Sequence, residues 1–118
     1  MVSLKRKIPL EKSIVVSIKK YLKTIPNCFF FHTHGDMYSM PGLPDIVCCI
    51  NGQFVGIEVK RPKIGKLSEH QKKVLMQLQG CGAVVFVAHS VDEVKQVIHG
   101  DGTIDKEQIR GSLMQPWL

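Results

Sequence analysis

The chain has 118 residues, 44% of them apolar and 22% charged, with a formal charge of +6 and a pI of about 9.3. That length suits one compact domain, and that composition excludes a disordered or collagen-like chain. The basic balance suits a polyanionic partner, either nucleic acid or an anionic surface.

The chain opens on "MVSLKRKIPLEK", which is basic but lacks the apolar stretch of a signal peptide. No apolar run approaches the length of a membrane span. A cytoplasmic protein with no membrane association is expected. Four cysteines are present without a C-x-x-C pair, so neither a zinc knuckle nor a disulfide framework is signalled.

Residues 10–23, "LEKSIVVSIKKYLK", place Val15, Ile18 and Leu22 on one helical stripe before Pro26-Asn27 breaks the pattern. "CFFFHTH" (28–34) is aromatic-rich and predicts a strand. A loop with two glycines and two prolines follows, to about residue 44. Two apolar runs then flank Asn51-Gly52, the strongest short-range signal for a hairpin, with strands over 45–50 and 53–60. "RPKIGK" is a basic turn. Ser68 opens a helix that runs to about Gly80 with Val74, Leu75 and Leu78 inward. "AVVFVA" (83–88) predicts a buried strand. Ser90 with Glu93 caps a short helix over 91–98. The ending, "DGTIDKEQIRGSLMQPWL", is mixed. Its apolar "LMQPWL" has two readings, burial against a partner chain or Trp117 folded back on its own domain.

This order makes the hairpin antiparallel and the crossover between the third and fourth strands helical. The expectation is an α/β domain with a small mixed sheet.

A two-residue turn fixes the hairpin register. Ile50 faces Gln53, Cys49 faces Phe54, Cys48 faces Val55, Val47 faces Gly56 and Ile46 faces Ile57. One step further, Asp45 faces Glu58. Alternation puts Lys60 on the face of Glu58, roughly 7 Å along the strand. The opposite face is apolar. Two carboxylates directly opposed repel, and a sheet gains nothing from them. A raised pKa, a nearby cation or a bound divalent metal would compensate. Mg²⁺ accepts one or two carboxylates and takes its remaining ligands from water and phosphate. Lys60 could meet a scissile phosphate, and Gly56 on the same face is expected to leave open space. The plainer reading is a pair of solvated strand-end acids with a lysine partner.

Several other polar residues carry two readings each. Glu11 extends the stripe of the first helix, either as an acid favoured by the helix N-terminus or as an extra carboxylate near the metal. Gln71 faces inward, either serving Ser68 in a capping box or orienting water, Lys60 or phosphate. Arg61, Lys63 and Lys66 form either a solvated basic loop or a phosphate-binding one. Tyr38 and Met40 either pack in their loop or stack on a base. His32 and His34 share a strand face without a third ligand at recognisable spacing, which favours packing or surface over zinc.

"GLPDIVCCINGQFVGIEVK", followed by "GKLSEHQKKVLMQLQGCGAVVFVAHSVDEV", resembles the VRR-NUC domain of the PD-(D/E)XK nuclease superfamily. The resemblance covers roughly residues 9–98, leaving 99–118 as a C-terminal extension and a candidate for dimerisation. It implies a restriction-endonuclease-like αβββαβ core. It implies Mg²⁺ or Mn²⁺ held by Asp45, Glu58 and the main-chain carbonyl of Val59. Lys60 would be the catalytic lysine, Glu11 the helix glutamate and Gln71 the helix glutamine. The chain is similar to the small stand-alone members of phages and bacteria, which implies a homodimer acting on branched DNA such as a four-way junction or flap, in the cytoplasm of a bacterium or an infected host. No small-molecule cofactor is implied. A non-catalytic nucleic-acid-binding module on the same fold is the alternative.

Overall fold

A computed structural model of the chain describes residues 7–33, 40–110 and 113–117. Helix α1 spans Glu11–Leu22, strands β1, β2 and β3 span Cys28–His32, Ile46–Ile50 and Gln53–Val59, helix α2 spans Glu69–Gly80, strand β4 spans Val84–Ala88, and helix α3 spans Val91–Val97. A short 3₁₀ turn, Lys106–Gln108, follows. The four strands form one mixed sheet in the order β1-β2-β3-β4, antiparallel except where β4 joins β3 in parallel. The αβββαβ order and the mixed sheet are those read from the sequence.

The hairpin register is also the one its turn dictates. Asn51 and Gly52 both adopt positive φ, at 49° and 83°, as a two-residue turn between right-twisted strands requires. The pairs run from Ile50↔Gln53 to Ile46↔Ile57.

Alternation divides the sheet into two faces. Ile46, Cys48, Ile50, Val55, Ile57 and Val59 point to one side and are buried against Ile14, Val15, Ile18 and Leu22 of α1 and Val94 and Val97 of α3. Each such aliphatic side chain stabilises the fold by about 1.5–3 kcal/mol on burial. Helix α2 lies against the other face, over β4, with Leu75 fully buried. On that second face β1 projects Phe29 and Phe31, which stay exposed.

The open edge of β4 is covered by the chain's own ending. The Val87 N–H donates to the Met114 carbonyl at 2.8 Å and Gln115 Nε2 to the Val85 carbonyl at 3.0 Å. Covering an edge in this way removes a template for strand pairing. Trp117 Nε1 donates to Gln79 Oε1 at 2.8 Å, so the aromatic ring folds back on its own domain.

Candidate active site

The charges read from the hairpin converge at one end of the sheet. Strand β2 stops where proline has no N–H to give the ladder. Pro44 and Asp45 are held instead from the side by Thr33: its N–H donates to the Asp45 carbonyl at 2.9 Å and its hydroxyl to the Pro44 carbonyl at 2.7 Å. Asp45 then continues the pairing with its side chain, Oδ2 accepting from the Val59 N–H at 2.7 Å. This bond fixes the carboxylate across the hairpin, in the position the register predicted beside Glu58.

Glu58 lies on the face covered by α2 and is 2% exposed, as Asp45 is 1% exposed. Its Oε2 accepts from Gln71 Nε2 at 2.9 Å and pairs with Lys60 Nζ at 3.2 Å. The Lys60 N–H donates to the Ala88 carbonyl at 3.1 Å, which carries the β3–β4 ladder one residue further and fixes the start of the lysine side chain. The capping-box reading of Gln71 holds, and the same side chain also reaches Glu58, a partner the sequence did not point to. Its Oε1 accepts from the Ser68 N–H and its own N–H donates to Ser68 Oγ, the reciprocal capping box, while Nε2 remains for Glu58.

Burial is the first cause of an unusual Glu58. Desolvation, then the Asp45 charge, push its carboxyl up to about 8, against the opposing pull of Lys60; Glu11 adds a smaller push. Glu11, in the first turn of α1, is therefore near enough for its charge to act on Glu58. The charges of Asp45 and Glu11 thus act on Glu58 against that of Lys60. Oxygen donors with excess negative charge suit a hard divalent cation. Among the described residues no three His, Cys, Asp or Glu side chains gather as a metal cluster. An ion here would draw on two carboxylates, with main-chain, water and phosphate oxygens as its other ligands, which is within the habit of Mg²⁺.

Two expectations change. Gly56 does not leave open space: a Cβ there would come within 2.8 Å of Pro44 Cγ and 3.2 Å of Val85 Cγ1, so the residue admits the Pro44 ring beneath Asp45. Arg61 does not project toward a ligand. Its Nε donates to the Pro9 carbonyl and its Nη2 to the Ile8 carbonyl, both at 3.0 Å, tying the end of β3 to the segment that starts α1 and so to Glu11. Thr33, which clamps Pro44 and Asp45, drew no attention in the sequence because it sits between two histidines. Lys63 and Lys66 are exposed and, with Lys60, line a cleft of about 390 Å³. His32 is exposed, while His34 and Tyr38 lie outside the described residues.

Residues 36–92, which hold Asp45, Glu58, Lys60 and Gln71, match the VRR-NUC domain family. The chain carries a VRR-NUC domain. Membership of the PD-(D/E)XK nuclease superfamily follows from that family. A solved structure described as a VRR-NUC domain is 24% identical, with a TM-score of 0.62 over 75% of this chain and 92% of that one. The likeness bears on the fold. Hjc, a Holliday junction resolvase from the archaeal hyperthermophile Archaeoglobus fulgidus, aligns at 27% identity and a TM-score of 0.44, over 66% of this chain and 62% of that one. No curated protein matches the chain. Among the described residues no helix is long and apolar enough to cross a membrane.

Proposed function

We propose that this VRR-NUC domain is a metal-dependent endonuclease that hydrolyses DNA phosphodiester bonds. The observation that carries the reading is the buried Asp45–Glu58 pair, a source of repulsion in a sheet, with Lys60 and Gln71 both on Glu58 Oε2. Asp45, Glu58 and the Val59 carbonyl would hold Mg²⁺ or Mn²⁺. The Val59 N–H is already turned toward Asp45, and a strand residue presents its N–H and C=O along the same edge. A divalent ion bound there lowers the pKa of a water and offsets charge on the phosphate.

The protein's own groups do the rest. Lys60 places an ammonium where negative charge develops on the scissile phosphate. Gln71 holds Glu58 in one rotamer and keeps Lys60 beside it. Arg61 sets the start of α1, and Glu11 adds negative charge to the site, directly or through water. Lys63 and Lys66 neutralise flanking phosphates.

Branched DNA as the preferred substrate, and a homodimer as the acting form, rest on the family resemblance. For the dimer we favour the uncovered part of the sheet, where Phe29, Cys49 and Phe54 lie in register and Phe31 stands beside them, all exposed. Contiguous apolar surface of this kind marks contact sites.

The test is incubation with duplex, flap and four-way-junction DNA, and with matched RNA, in Mg²⁺, Mn²⁺ or EDTA. Metal-dependent cutting of DNA, strongest on branched forms, is expected. Binding without cutting under every metal condition would favour the non-catalytic module.

A further inference from the structure

One half-buried side chain pair lies beside the site and outside every role assigned above. His89 follows β4, and its Nδ1 lies 2.9 Å from Glu93 Oε1, which also accepts from the His89 N–H at 2.8 Å. The Glu93 N–H in turn donates to Ser90 Oγ, so the carboxylate is anchored on the first turn of α3. Burial pushes the Glu93 carboxyl up, but its bonds to His89 and the charge of that ring outweigh it and hold it below the ordinary value. With Nδ1 engaged by a fixed carboxylate, Nε2 is the ring nitrogen left for a ligand.

His89 also lines the 390 Å³ cleft that contains Lys60. Lys63, Lys66 and Lys72 share that lining, and no acidic side chain does among the described residues. Among the described residues the ion-pair partner of Lys72 is the exposed Glu69 at 3.0 Å, a pair of little strength. The cleft therefore gathers lysines from the end of β3, the loop after it and α2, with His89 from the end of β4, around one opening. A histidine in its charged form donates from both nitrogens, here Nδ1 to Glu93 and Nε2 to the cleft.

We propose that His89, aimed by Glu93, and Lys72 are substrate-contact residues that grip a backbone phosphate of the DNA strand next to the one attacked at Lys60. The inference rests on the nuclease reading and deepens it. It assigns the strand a path from the Asp45–Glu58 pair through the lysine-lined cleft, and it gives the His89–Glu93 pair a purpose beyond capping α3.

Two conservative variants separate the contact from the cap. In His89→Asn the amide nitrogen stands near Nδ1 and can keep Glu93; in His89→Gln it reaches the position of Nε2. Binding of a labelled DNA duplex is measured in EDTA at about pH 5.5, a unit below the ordinary histidine value, with circular dichroism to verify folding. His89→Asn should bind roughly tenfold more weakly than the wild type, the scale of one charge-assisted hydrogen bond, and His89→Gln, which keeps a neutral donor at the Nε2 position, should recover about half of that loss on a logarithmic scale. Equal affinities for the two variants, whether both high or both low, would overturn His89's contact. Lys72→Gln should lower the slope of log affinity against log salt by about 0.9, one phosphate contact. An unchanged slope would overturn Lys72's part. Failure of the wild type to cut any DNA with Mg²⁺ or Mn²⁺ would instead strike the nuclease reading itself, so the two failures are distinguishable.

Discussion

Glu58→Gln should make the metal-free protein more stable while abolishing its chemistry. The carboxyl is ordinarily half-ionised at 4.5, and in the fold that point moves up to about 8. The folded state therefore holds a proton that the unfolded state has released throughout this window. The contribution of Glu58 to stability is greatest below pH 4.5, falls as pH rises, and levels off above 8. Each pH unit in the window is worth about 1.4 kcal/mol, so its full width is at most about 5 kcal/mol. Asp45 shares the repulsion, and relaxation of the pair brings the expected cost to about 2–3 kcal/mol. Glutamine removes the charge, and its amide oxygen can take the place of Oε2 for Lys60 and Gln71. In EDTA at pH 8 the variant should melt roughly 5–10 °C above the wild type. The gap should close as pH falls toward 4.5. Saturating Mg²⁺ should raise the wild-type Tm by mass action and leave the variant unmoved. Thermal melts across pH, with and without metal, read all three effects. A wild-type Tm that stays flat from pH 5 to 8, or a variant no more stable than the wild type in EDTA, would refute the repulsion argument.

Further outcomes follow from the same geometry. Gly56→Ala should lower stability by about 1–3 kcal/mol in chemical denaturation, because its Cβ would meet the Pro44 ring at 2.8 Å. Arg61→Ala should free Ile8 and Pro9, raising amide exchange at the start of α1 and lowering cutting while DNA affinity changes little. Ser68→Ala should lose the cap alone, about 1 kcal/mol of stability with cutting unchanged. Gln71→Ala should lose the cap and the Glu58 bond together, so its cutting rate should fall as well.

The features legible in the sequence are those set locally. Asn51-Gly52 fixes the register within a few residues, and alternation then carries Asp45, Glu58 and Lys60 to one face. Gln71 was legible as a cap from Ser68 and as an inward position from its spacing to Leu75. Arg61 was not, because its partners stand 52 and 53 residues away and nothing near it in sequence announces them. Gly56 misled for a related reason: the absence of a side chain says that something approaches closely, and only the fold shows that Pro44 does. Trp117 was open between two partners because an apolar ending says that it is covered and not by what. The structure supplies Gln79 on α2. His89 and Glu93 stood four apart in plain view, yet one helical-spacing pair has no meaning until β4 delivers it to the cleft beside Lys60.

The central claim is that the Asp45–Glu58 pair performs metal-assisted hydrolysis, and single-turnover cleavage by Asp45→Asn tests it most directly. Asparagine can still accept from the Val59 N–H through its amide oxygen, so the hairpin end is preserved while one metal-binding charge is removed. In Mn²⁺, with enzyme in excess over labelled branched DNA, the variant is predicted to cut at least about a thousandfold more slowly than the wild type. Cutting by a folded Asp45→Asn within a few-fold of the wild-type rate would contradict the account.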